Sequence, residues 1–111
     1  MRIVELCPKA HHRELFTLRS VVRISELSGV YAVTNFHDEI IYIGSSKNIR
    51  SRVKQHLYST KYEETTPMGV SYWFYYSLCD ANRCFSMERG WLNHFILKEG
   101  RLPYFNKIFS P

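Results

Sequence analysis

The stretch Gly29-Val30-Tyr31-Ala32-Val33-Thr34-Asn35-Phe36-His37-Asp38-Glu39-Ile40-Ile41-Tyr42-Ile43-Gly44 decides how this chain folds. Val30 to Asn35 and Ile40 to Gly44 are rich in β-branched and aromatic residues, and the residues between them favour a turn, so the pattern predicts a β-hairpin. With an even loop count Asn35 pairs with Ile40, which sets Val33 opposite Tyr42 and Tyr31 opposite Gly44. Tyr31 and Tyr42 are then diagonal neighbours on one face. Gly44, lacking a side chain, leaves space beside Tyr31 where a phosphate can approach the backbone. Tyrosine is nevertheless a common strand residue, and this chain has 8 of them, so the spacing alone does not make a site.

Downstream, Ser45 to Leu57 reads as a serine-capped helix whose Ile49, Val53 and Leu57 form a core-facing stripe. Arg52 and His56 share one flank of that stripe, at the border between core and solvent. Two readings fit them: a cation and a titratable imidazole aimed at one spot, or an arginine that snorkels beside a histidine covering the core. Tyr72 to Leu78 is a nearly unbroken aromatic and apolar run, suited to a central strand buried on both faces. Arg83 to Gly100 reads as a helix stopped by Gly100, with Pro103 beyond it, that buries Trp91, Leu92, Phe95 and Ile96. Glu88 falls in the middle of that stripe. A carboxylate there needs a cation, either Arg52 or Arg89 in a salt bridge or a divalent metal beside a phosphate.

Leu102 to Lys107 follows as an extended segment, and Thr17 to Ile24 fits a strand or a short helix equally well. The element order predicts an α+β domain over residues 28–111, a small central antiparallel sheet of about three strands flanked by helices. Residues 1–27 form an N-terminal extension of undetermined structure.

The 111 residues, 45% of them hydrophobic, suffice for one compact core. Apolar stretches fall far short of the roughly 20 residues of a membrane span, and the N-terminus alternates charged with apolar residues. A soluble, cytoplasmic protein without a membrane partner is the expectation. Cys7, Cys79 and Cys84 are odd in number and lack CxxC spacing, so they read as small apolar thiols, although Cys79 and Cys84 near His94 also have the donors for a metal. The net charge of +5 is concentrated, because Lys47, Arg50, Arg52, Lys54 and Lys61 run without an intervening acid while the rest of the chain balances. Such a patch is the footprint of a phosphate-bearing partner, or a helix kept basic for solubility.

Taken together these residues resemble the GIY-YIG nucleases, named for two strings that here read Gly29-Val30-Tyr31 and Tyr42-Ile43-Gly44. The resemblance runs from Ser28 to about Lys107 and takes in the step from Tyr31 to Tyr42, Arg52 after Gly44, Glu88 on a late helix and Asn106 in the closing segment. It implies a metal-dependent DNA endonuclease that hydrolyses phosphodiester bonds with one Mg²⁺ or Mn²⁺ held by Glu88. Tyr31 and Tyr42 are implied to position or deprotonate the attacking water, Arg52 to clamp the scissile phosphate and His56 to transfer or orient a proton. Asn106 is implied to order the site from behind, and Lys47 to bind phosphate or favour a tyrosinate. Arg50, Lys54 and the Gly44 backbone are expected to contact DNA. With ordinary pKa values near 10 for tyrosine and about 6.5 for histidine, Tyr31 beside a cation and His56 unaided both qualify as general base.

Two other functions fit the same fold: a non-catalytic nucleic-acid-binding or regulatory module, and a structural domain with the Tyr72 to Tyr76 cluster as a protein interface. Without room for a separate targeting module, low sequence preference or a targeting partner protein is expected. A double-strand break would take a homodimer or sequential nicks.

Overall fold

In chain order the strands are His12–Leu15 (β1), Gly29–Thr34 (β2), Ile40–Ser46 (β3) and Trp73–Leu78 (β4), and the helices are Ile49–Leu57 (α1), Cys84–Glu99 (α2) and Tyr104–Phe109 (α3). They are seen in a computed structural model that describes residues 1–59 and 66–109, the last three as backbone alone. The strands make one antiparallel sheet in the order β1-β4-β2-β3. The fold is thus α+β, with a fourth strand beyond those expected. His12-Arg13-Glu14-Leu15 has no apolar alternation to announce a strand. It is held to β4 by cross-strand pairs, with the Arg13 guanidinium 4.0 Å over the Trp73 ring and His12 stacked 4.8 Å from Tyr76.

The hairpin places Tyr31 opposite Gly44 and Val33 opposite Tyr42 as the pattern requires. At the loop end Thr34, not Asn35, pairs with Ile40, and Ile41 is the extra residue of a bulge. The reason is that Asn35 serves the turn. Its Oδ1 accepts from the backbone N–H groups of His37 and Glu39 at 2.9 Å each, and Asp38 adopts a left-handed φ of 66°. The bulge puts the consecutive residues Ile41 and Tyr42 on the same face of the sheet, with Ile40 and Ile43 on the other.

One face carries Tyr31, Val33, Ile41, Phe74 and Tyr76 against Ile49 and Val53 of α1 and Phe105 of α3. The other carries Val30, Ala32, Ile40 and Ile43 against Trp91 and Phe95 of α2. The first 27 residues feed both cores, Met1, Ile3 and Leu6 on the α2 side and Phe16, Val21 and Ile24 on the α1 side. Leu18–Arg23 within them is a 3₁₀ helix rather than a strand.

Several local expectations are corrected. The N-cap of α1 is Asn48, whose side chain accepts from the Ser51 N–H at 3.0 Å, while Ser46 holds the turn before it. Trp73 and Tyr75 are only half-buried and Leu78 is exposed, so β4 is not buried on both faces along its length. On α2 the buried set is Cys84, Trp91 and Phe95, with Leu92 half-buried and Ile96 exposed. Gly100 ends α2 at a left-handed φ of 73°, as its position suggests. The segment after it is helical, not extended. Pro103 blocks continuation of α2, but its fixed φ suits the start of the next helix, and its carbonyl accepts from the Asn106 N–H at 3.0 Å. Among the described residues no helix is long and apolar enough to cross a membrane.

Candidate active site

Strand register and helix phase bring the candidate residues together at the β3 edge of the sheet. Tyr31 in β2 is fully buried, and its ring centroid lies 5.9 Å from that of half-buried Tyr42 in β3. His56, in the last turn of α1, packs against both, at 5.6 and 5.2 Å between centroids, and its Nε2 is 2.6 Å from the Tyr31 hydroxyl. With the ring proton on Nδ1, Nε2 accepts from that hydroxyl.

Gly44 sits directly beneath this contact. A Cβ there would stand 2.7 Å from the Tyr31 hydroxyl oxygen, 2.8 Å from its Cζ and 2.9 Å from Cε2 of Tyr42. The space expected for a phosphate is therefore filled by two tyrosine rings. Glycine is required so that Tyr31 can cross β3 and reach the histidine.

Arg52 lies one turn before His56 on α1 and is half-buried. Burial first, and the Arg52 charge second, push the His56 imidazole down to about 4. Burial also pushes Tyr42 above the ordinary tyrosine value, while its hydrogen bond with Tyr31 opposes this, the Glu88 charge adds to it and the charge of Arg52 opposes it. Near neutral pH the imidazole is therefore uncharged and Tyr42 keeps its proton.

Glu88 approaches from the other side of the sheet. Along β3, Tyr42 faces the α1 side while Ile43 faces α2, and the Ser45 hydroxyl donates to Oε1 of Glu88 at 2.5 Å. Of the two partners the sequence allowed Glu88, the salt bridge is not formed: among the described residues neither Arg52 nor Arg89 pairs with it, and the Arg89 guanidinium lies 5.7 Å over Phe85 instead. Glu88 sits half-buried at the margin of the apolar stripe, where solvation makes an unneutralised carboxylate tolerable. Its hard oxygens suit a divalent cation whose remaining ligands are water and phosphate.

Asn106, 3% exposed, closes the β3 edge from behind. Its Oδ1 accepts from the Ile43 N–H at 2.9 Å and its Nδ2 donates to the Ile43 carbonyl at 2.8 Å, which satisfies the edge backbone between Tyr42 and Gly44. Lys47 is exposed in a cleft of ≈ 470 Å³ that Ser45, Arg52, Cys84 and Phe85 also line, and Lys54 is exposed on α1. Lys61 lies outside the described residues.

Arg50, expected to contact DNA, also has a structural role. Three of its five N–H donors are engaged internally: its guanidinium donates to the carbonyls of Ile24 and Val22 at 2.9 and 3.2 Å and to Oε1 of Glu26 at 2.7 Å, tying α1 to the preceding segment. Cys79 and Cys84 bring their sulfurs within 3.1 Å, and burial pushes the Cys79 thiol up to about 12, so it is protonated. Among the described residues no group of three or more His, Cys, Asp and Glu gathers as a metal site. Ser45, read from the sequence only as the start of the serine-capped helix, belongs to β3, where strand alternation from Ile43 places it on the α2 side.

A family model described as the GIY-YIG catalytic domain matches residues 27–96, from the start of the hairpin to the last turn of α2. UvrABC system protein C of Methanococcoides burtonii is 44% identical over 41 residues, which are 37% of this chain and 7% of that protein, so the chain spans only a small part of its relative's length. The two tyrosines on one hairpin face, the arginine and histidine on the helix that follows, and a family match over more than half of the sequence agree: this chain belongs to the GIY-YIG family of nuclease catalytic domains.

Proposed function

We propose that the chain is a metal-dependent DNA endonuclease, hydrolysing a phosphodiester with one divalent cation at Glu88 and a proton path from water through Tyr31 to His56. The observation that carries this reading is the 2.6 Å contact between the buried Tyr31 hydroxyl and an uncharged His56, with Arg52 one turn away. Tyr31 donates its proton toward Nε2, and its oxygen, which also hydrogen-bonds with Tyr42, has a second lone pair that accepts from a water. As that water becomes hydroxide, its proton passes to the Tyr31 oxygen while the Tyr31 proton passes to Nε2. An arriving phosphodiester adds negative charge beside Arg52, which offsets the arginine's effect on the imidazole and raises its basicity. Tyr42, protonated at neutral pH, acts as a hydrogen-bond donor and not as a base.

Arg52 presents forked N–H donors to the non-bridging oxygens of the scissile phosphate. Lys47 and Lys54 contact flanking phosphates, and Asn106 holds the β3 backbone that carries Tyr42. Glu88 is supported as the ligand of Mg²⁺ or Mn²⁺ because Ser45 engages one of its oxygens and no cationic side chain neutralises it among the described residues. A cation bound there neutralises charge on the phosphate and on the leaving 3′ oxygen. One such site cuts one strand, so a double-strand break takes a homodimer or two sequential nicks.

Supercoiled plasmid incubated with the protein and Mg²⁺, with and without chelator, tests the reading. Nicking that requires the metal, is abolished in Glu88→Ala, and falls roughly 10²- to 10³-fold in turnover in Arg52→Ala is expected. DNA binding without nicking by the unaltered protein would refute it in favour of a non-catalytic nucleic-acid-binding module.

A further inference from the structure

We propose that Ser45 is a positioning residue for Glu88, whose hydroxyl sets the carboxylate in the orientation that receives the divalent cation. The inference rests on the reading of Glu88 as the metal ligand. Ser45 is anchored in β3, paired with Val30 and next to Gly44, so its Oγ is fixed by the sheet and not by a mobile loop. Its proton is directed at Oε1 of Glu88, while Oε2 remains for another partner. A glutamate reaches the site from α2 through three rotatable bonds, and among the described residues this is its one hydrogen bond.

The chemistry of the donor matters. An arginine or lysine in this place would orient the carboxylate but also neutralise it, and so compete with the metal. A hydroxyl holds one oxygen and leaves the full negative charge available. Ser45 also lines the cleft shared by Lys47 and Arg52, so the orientation it imposes is toward the side where the phosphate is expected.

Mn²⁺ binding to the intact protein, followed by loss of the free-ion electron paramagnetic resonance signal, reads this without activity. Ser45→Thr keeps a hydroxyl and Ser45→Val has the same shape without one. Both are β-branched and suit a strand, so the pair isolates the hydrogen bond even if Ser45→Ala folds poorly. Thermal melts confirm that the two variants are equally folded. The expected result is weaker Mn²⁺ binding in Ser45→Val by roughly 10- to 100-fold, near-native binding in Ser45→Thr, and a parallel rise in the Mg²⁺ concentration that half-activates cleavage. If Glu88→Ala weakens Mn²⁺ binding but Ser45→Val matches Ser45→Thr, the positioning role is overturned and Glu88 stands. If Glu88→Ala binds Mn²⁺ like the unaltered protein, the metal reading itself falls and the proposal falls with it.

Discussion

Replacing His56 with glutamine tests the electrostatic state of the site through stability. The folded imidazole is pushed down to about 4, first by burial and then by Arg52, whereas in the unfolded chain it titrates at its ordinary 6.5. Between those values the unfolded state binds more protons than the folded one, so stability falls as pH falls through this window. Fully developed, the gap corresponds to about 3 kcal/mol, of which roughly 2 kcal/mol is lost between pH 7 and pH 5. Glutamine keeps an oxygen that accepts from the Tyr31 hydroxyl but does not titrate, so the difference between the two proteins isolates this one group.

Urea unfolding followed by circular dichroism at pH 5, 6, 7 and 8 is the assay. The unaltered protein should lose about 2 kcal/mol more than His56→Gln between pH 7 and pH 5. Parallel curves would show that the histidine is not held neutral. A wild-type protein that gains stability relative to His56→Gln toward pH 5 would mean that a charged imidazolium is favoured in the fold, and would remove the acceptor from the proposed proton path. The same variant should lose roughly 10²- to 10⁴-fold in turnover, because it accepts a hydrogen bond without taking the proton.

Gly44→Ala should destabilise the fold by roughly 1–3 kcal/mol and disconnect Tyr31 from His56, because its methyl meets two packed tyrosine rings inside 3.0 Å. Thermal melts and the pH profile of cleavage check both effects, and an unperturbed variant would show that the rings move aside freely. Arg50→Ala should cost roughly 0.5–1.5 kcal/mol of stability in urea unfolding, chiefly by removing the hydrogen bond to the part-buried carbonyl of Ile24. It should leave the salt dependence of DNA binding unchanged, and a slope reduced by about one phosphate contact would return this arginine to the DNA surface. Asn106→Ala leaves the buried Ile43 N–H and carbonyl without their partners, so a loss of about 1–3 kcal/mol is expected. Its turnover should fall more than its DNA affinity, and an equal loss in both would mark the residue as structural alone.

Strand periodicity and local polarity made the hairpin legible, and with it the opposition of Tyr31 to Gly44, because both depend on neighbours close in sequence. Helix periodicity likewise set Arg52 and His56 on one flank of α1, and glycine chemistry stopped α2 at Gly100. Strand β1 escaped notice because its pairing energy comes from Trp73 and Tyr76, more than 50 residues later in the chain. Arg50 and Arg52 illustrate the same divide. As sequence they are alternating cations on one helix, and the segment beside α1 gives one of them three acceptors, on Val22, Ile24 and Glu26, and leaves the other in the cleft.

By itself the sequence determined which residue types are present and how they recur: two tyrosines in a hairpin, a basic helix and one carboxylate on an otherwise apolar stripe. Tertiary structure alone decided what each one meets. It filled the space over Gly44 with aromatic rings, placed His56 within a proton's reach of Tyr31 and set Ser45 rather than an arginine against Glu88. The physical reason is that periodicity is a short-range property of the backbone, whereas burial, hydrogen-bond partnership and the charge state of an imidazole follow from groups brought together across the sheet.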